Sequence, residues 1–93
     1  MSESVLHLMI HGRVQGVGYR AFVHHEATAR GLSGWVRNLR TGEVEMVVRG
    51  EATVVEELVD VCRCGPPGAR VDRIVRSDTA APPDGAFTVL PTR

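Results

Sequence analysis

In the stretch 5–11 (VLHLMIH), Leu6, Leu8 and Ile10 fall on one side and His7 and His11 on the other, beside Val5 and Met9. A period of two predicts a half-buried or central β-strand. Tyr19, Phe22, Val23 and Ala27 then recur at spacings of three and four, and Gly31 follows Arg30 as a stop with Leu32 behind it. This predicts an amphipathic helix of about three turns. The stretch 33–39 reads as a second strand with Trp35 and Val36 on opposite faces, and 39–42 (LRTG) as a turn. The stretch 43–49 alternates, with Val44, Met46 and Val48 on one face and Glu43, Glu45 and Arg49 on the other, so a β-hairpin is expected. Val55, Leu58, Val59 and Cys62 mark a second helical stripe that ends at Gly65-Pro66-Pro67, with either Gly50 or Thr53 as its N-cap. The stretch 71–76 reads as a fourth strand whose apolar residues Val71, Ile74 and Val75 break strict alternation, as a bulge would. A Pro- and Asp-containing loop at 79–85 leads to Phe87 and Val89 in a short final strand at an edge. The order is β-α-β-β-α-β plus a short fifth strand. The fold class is α+β, a ferredoxin-like split β-α-β with two helices on one face of an antiparallel sheet. A doubly wound sheet would need more strands.

The hinge between the first strand and the first helix, HGRVQGVGYR at 11–20, holds three of the chain's ten glycines within seven residues. Such density between regular elements signals positive φ angles or close approach of the backbone to something. Successive N–H groups in such a turn, followed by a helix N-terminus, make a concave set of donors suited to an anion. Arg20 at the exit adds a guanidinium whose fork matches phosphate or carboxylate oxygens. A purely geometric turn is the other reading of the same glycines. Two phosphate motifs are excluded. GVGYRA at 16–21 fits G-x-G-x-x-[GA], but the chain has too few strands for a dinucleotide fold, and Asn38 stands where an acidic residue is needed. A Walker loop requires lysine, of which the chain has none.

In a split β-α-β arrangement the second strand runs toward the same end as the first. Arg37 and Asn38 therefore finish near the glycine loop and Arg20, although 18 positions separate Arg20 from Asn38. An anion-binding loop, an arginine and a neutral amide at a neighbouring strand end could hold a phosphoryl group and a water against it. A turn residue before a hairpin is the other reading of Asn38.

Length and charge narrow the picture. With 93 residues and 43% hydrophobic content there is enough chain for one core. The 11 basic residues, all arginine, balance 11 acidic ones, so no long-range field draws the chain to nucleic acid or anionic lipid. Cys62 and Cys64 point to different helix faces and fit neither a disulfide framework nor a metal site. No apolar run approaches a membrane span, and a soluble protein of a reducing compartment, the cytoplasm, is expected.

The sequence resembles the acylphosphatases. The likeness lies in G-R-V-Q-G-V-G-[FY]-R, met at 12–20, and G-W-V-R-N, met at 34–38, and continues through GEVE at 42–45 and GPPGA at 65–69. The resemblance implies one domain over 1–93: a metal-free, cofactor-free hydrolase of the carboxyl–phosphate bond of acyl phosphates. Arg20 would bind phosphate and Asn38 would orient water. The chemistry suits so spare a site, because a carboxylate leaves without a strong general acid; charge on the phosphoryl oxygens and alignment of the water remain. The main chain of Val14, Gln15, Gly16, Val17, Gly18, Tyr19 and Arg20 would meet the first need and Asn38 the second. The water's proton would pass to a phosphate oxygen. His24 and His25 lie on a helix face away from the loop, and His11 is nearer to it. Trp35 is expected in packing, and Glu43 and Glu45 on a solvated strand face. The expected partners are a small-molecule acyl phosphate, or phosphate or another anion at the loop; no nucleic acid or membrane is expected, and the protein is expected as a monomer. An RNA-recognition domain shares the element order, but here the first and third strands offer no aromatic for base stacking. A regulatory domain that binds a phosphorylated or carboxylated metabolite without turnover is the remaining alternative.

Overall fold

Alternating apolar positions become strands and the three-and-four spacing becomes helices in the computed structural model, which describes residues 2–82 and 85–93. The chain runs β1 (Glu3–Arg13), α1 (Tyr19–Ala29), β2 (Ser33–Asn38), β3 (Val44–Glu51), α2 (Ala52–Cys64), β4 (Arg70–Asp78) and β5 (Thr88–Val89). The expected loop at 79–85 includes residues 83 and 84, which lie outside those described.

The strands form one sheet in the order β4-β1-β3-β2-β5. Leu6, Leu8 and Ile10 of β1, Val44, Met46 and Val48 of β3 and Val36 of β2 are buried on one face. Tyr19, Val23 and Ala27 from α1, and Val55, Leu58, Val59 and Cys62 from α2, join them in a single core. Burial of each Val, Leu, Ile or Met side chain among them contributes roughly 1.5–3 kcal/mol before the cost of chain ordering. The irregular pattern of β4 has the expected cause: opposite His11 and Gly12 stand Arg73 and Val71, so Asp72 is an extra, bulged residue.

Four details depart from the pattern-based reading. The sheet is mixed, because β5 pairs parallel to β2 while the other pairs are antiparallel. β4 finishes at the end where β2 begins, so a strand entering there on the far edge must run in the same sense as β2. β1 and β2 are not adjacent, since β3 lies between them. Helix α2 is preceded by Glu51, with neither Gly50 nor Thr53 at the N-cap. Glu45 is not solvated. It lies on the sheet face opposite the helices, where His7 Nε2 meets one carboxylate oxygen at 2.8 Å and Arg37 Nε donates to the other at 2.6 Å. Cross-strand register explains this, as β3 places Glu45 between Met9 of β1 and Arg37 of β2.

Candidate active site

The glycine loop starts from Val14, whose side chain is fully buried and fixes the end of β1. Gly16 and Gly18 have φ of 74° and 78°, and no described residue other than glycine has positive φ, so the sign alternates through Val17. Alternation of this kind turns successive N–H groups toward one concave side. A Cβ on either glycine would meet nothing within 4 Å, so conformation, not crowding, calls for glycine there.

Gly18 is also the N-cap of α1, in the left-handed region and with no side-chain cap. The first intrahelical bond runs from Phe22 N–H to Gly18 O at 3.0 Å. The N–H groups of Tyr19, Arg20 and Ala21 therefore have no carbonyl partner inside the helix. A serine or aspartate cap would ordinarily satisfy one of them. No acidic residue stands in this first turn, and Arg20 itself, half-buried, has no carboxylate partner among the described residues. Positive charge at the positive end of a helix is unfavourable unless an anion joins it.

Tyr19 anchors the loop from below. Its buried hydroxyl donates to Cys62 O at 2.6 Å, and its ring lies so close to Gly65 that a Cβ there would be 3.0 Å from Cε2. Burial first, and then the proximity of Cys62, raise the phenol pKa, so Tyr19 stays neutral. Burial likewise pushes the Cys62 thiol up to about 12. Neither group is a proton acceptor near neutrality.

Across the loop, Asn38 ends β2. Its carbonyl accepts from Arg93 N–H at 3.0 Å, whereas its side-chain Oδ1 is buried with no hydrogen-bond partner among the described residues. An orphaned buried acceptor costs roughly 1–3 kcal/mol, and a bound water would relieve it. Gln15 reaches the same strand end, Nε2 donating to Leu39 O at 2.7 Å and Glu43 O at 2.9 Å.

These parts enclose a pocket of about 350 Å³, walled by Val14, Gln15, Gly16, Gly18, Tyr19 and Arg20 from the loop and by Ala21, Asn38 and Val89. The structure thus brings together Arg20, Asn38 and every loop residue named from the sequence except Val17. The Val17 side chain packs against the core edge, its methyl facing Gly68, and only its main chain belongs to the loop. Sequence reasoning missed Ala21 and Val89. Val89 sits beside the site because β5 pairs Val89 with Val36, two residues before Asn38. A two-residue strand has no period that could have announced this. His24 and His25 are exposed, His11 is half-buried, and none lines the pocket. Trp35 is away from it too, stacked under the Arg37 guanidinium at 4.6 Å. No group of three or more His, Cys, Asp or Glu among the described residues could hold a metal ion, and no described helix is long and apolar enough to cross a membrane.

Fold and pocket together define a ferredoxin-like α+β domain with its cleft between a glycine-rich strand-to-helix loop and the end of β2. The family model described as Acylphosphatase matches residues 6–89. Acylphosphatase of Bradyrhizobium diazoefficiens is 50% identical over 99 residues, covering 99% of both chains. That of Azorhizobium caulinodans is 55% identical over 88 residues, covering 94% of this chain and 95% of its own. The crystal structure of acylphosphatase from Bacillus subtilis superposes with a TM-score of 0.89 at 32% identity, over 92% of this chain and 97% of that one. The chain belongs to the acylphosphatase family, whose members are hydrolases of acid anhydrides.

Proposed function

We propose that this protein hydrolyses acyl phosphates to carboxylate and inorganic phosphate, without a metal or cofactor, and that residues 1–93 work as one unit. The observation that carries the reading is the buried, unpartnered Oδ1 of Asn38 in the wall of the same pocket as the uncapped N-terminus of α1 and Arg20. One side of the pocket offers donors and positive charge, and Asn38 on the other offers an acceptor.

The loop N–H groups from Val14 to Arg20 and the Arg20 guanidinium bind the phosphoryl oxygens and stabilise the charge that spreads over them during transfer. Asn38 Oδ1 accepts a hydrogen bond from a water and holds it against phosphorus. The water oxygen forms the new bond to phosphorus as the bond to the acyl oxygen breaks. The electron pair leaves with the carboxylate, and the water's proton passes to a phosphoryl oxygen. Val89, 45% exposed, and Ala21 give the mouth an apolar rim for the acyl part. A small acyl phosphate is the partner of this site, and the cytoplasm is the compartment that accords with two free cysteines, one of them exposed.

Hydrolysis of acetyl phosphate in chelator-treated buffer tests the reading. Wild type should exceed the spontaneous rate. Arg20→Gln should lose phosphate binding and turnover together, and Asn38→Ala should lower chiefly kcat. Turnover that stays at the spontaneous rate sinks the enzyme reading, and turnover that requires a divalent metal sinks the mechanism.

A further inference from the structure

We propose that the Gln15 side chain is a positioning residue, which ties the glycine loop to the β2–β3 turn and thereby fixes Asn38 Oδ1 relative to the phosphate cradle. The proposal rests on the reaction put forward above. Gln15 Nε2 lies 2.7 Å from Leu39 O and 2.9 Å from Glu43 O. Both partners are carbonyls, which only accept, so the amide nitrogen must be the atom that faces them.

Those two carbonyls close the turn that follows Asn38. Leu39 N–H donates to Glu43 O at 2.9 Å, and Gly42 N–H donates to Leu39 O at 3.0 Å. Gln15 fills the second lone pair of each. It therefore clamps the residue directly after Asn38 and the residue directly before β3. No strand pairing can do this, because β3 separates β1 from β2 and the loop has left the sheet. The aim of the Asn38 side chain rests on its main-chain frame, since Oδ1 has no partner of its own among the described residues. Gln15 supplies the side of that frame that faces the phosphate loop.

In-line attack needs the water within roughly 3–3.5 Å of phosphorus, and a misplacement of about 1 Å costs on the order of a hundredfold in rate. Gln15→Met keeps the length and the main chain but removes the donors. It should lower kcat about tenfold to a hundredfold and shift the inhibition constant of inorganic phosphate by less than about threefold. In the Asn38→Ala background the same change should cost almost nothing further, because a residue that acts through Asn38 has nothing left to aim. Gln15→Glu serves as the second variant. As a carboxylate it repels both carbonyls, and when protonated it recovers one donor, so its kcat relative to wild type should fall as pH rises through the carboxyl's pKa. Losses that add in the double variant, or a phosphate constant that weakens as much as kcat falls, overturn the proposal. If wild type shows no turnover, the reaction reading fails by itself, and the tie is judged by the NMR order parameter of the Asn38 side-chain amide. A lower order parameter in Gln15→Met supports the tie, and an unchanged one overturns it.

Discussion

Arg20 occupies a position that a helix would not choose for stability. It stands in the first turn of α1, where the dipole is positive, with no acidic neighbour in that turn. Like charge at a helix end costs about 0.3–1 kcal/mol, which an anion bound there would reverse. Arg20→Gln should therefore leave the phosphate-free protein as stable as wild type or up to about 1 kcal/mol more stable in urea. Phosphate at a hundred times its Kd should stabilise wild type by about 2.7 kcal/mol, and at the same concentration much less in the variant. Equal stabilisation of the two proteins would remove Arg20 from the site. Tyr19 carries the opposite balance. Tyr19→Phe removes the 2.6 Å bond to Cys62 O and should cost about 1 kcal/mol in urea unfolding, without taking any donor from the pocket.

At the scale of elements, the site depends on how closely β2 lies on β3. Gly34 has φ of 134°, and a Cβ there would lie 2.0 Å from Val47 O, so alanine would force the strands apart. Gly34→Ala should cost about 2–4 kcal/mol through overpacking and backbone strain. Residual activity should fall more than phosphate binding does, because the displaced strand carries Asn38 while the loop hangs from β1. Urea denaturation and a phosphate titration read the two effects separately. Much of this was legible beforehand. Alternation gave β1 and β3, helical spacing gave both buried stripes, and topology alone brought Asn38 to Arg20 across 18 positions. The direction of β5 was not legible, because two residues carry no pattern and its sense depends on where β4 ends. Nor was the Gln15 clamp, since a glutamine in a polar loop looks the same whether it binds carbonyls or water. Glu45 was misjudged because alternation tells only that a residue avoids the core, whereas its partners His7 and Arg37 come from register with two other strands.

Across the whole molecule, the helix-free face of the sheet adds ion pairs to the buried Val47, whereas the opposite face is held by apolar packing. Burial raises the Glu45 carboxyl pKa, but the hydrogen bonds from His7 and Arg37 and their charges outweigh it, and the net pKa is lowered. A lowered folded-state pKa stabilises the protein above the ordinary carboxyl value of about 4.3 and ceases to do so as pH falls through the depressed value. The urea midpoint should therefore drop as pH falls below about 5, and Glu45→Gln should flatten part of that drop. The pocket lies on the opposite face, so activity of Glu45→Gln near neutrality should stay close to wild type. Loss of activity without loss of stability would place Glu45 in the chemistry.

What unites these scales is the proposed reaction, in which the loop cradles a phosphoryl group and a water held by Asn38 attacks it. The fate of the water's oxygen tests this most directly. Acetyl phosphate is hydrolysed by the protein in ¹⁸O-labelled water, and both products are analysed by mass spectrometry. Attack at phosphorus puts the label in inorganic phosphate and leaves the carboxylate unlabelled. Label in the carboxylate would mean attack at the carbonyl carbon and would contradict the account.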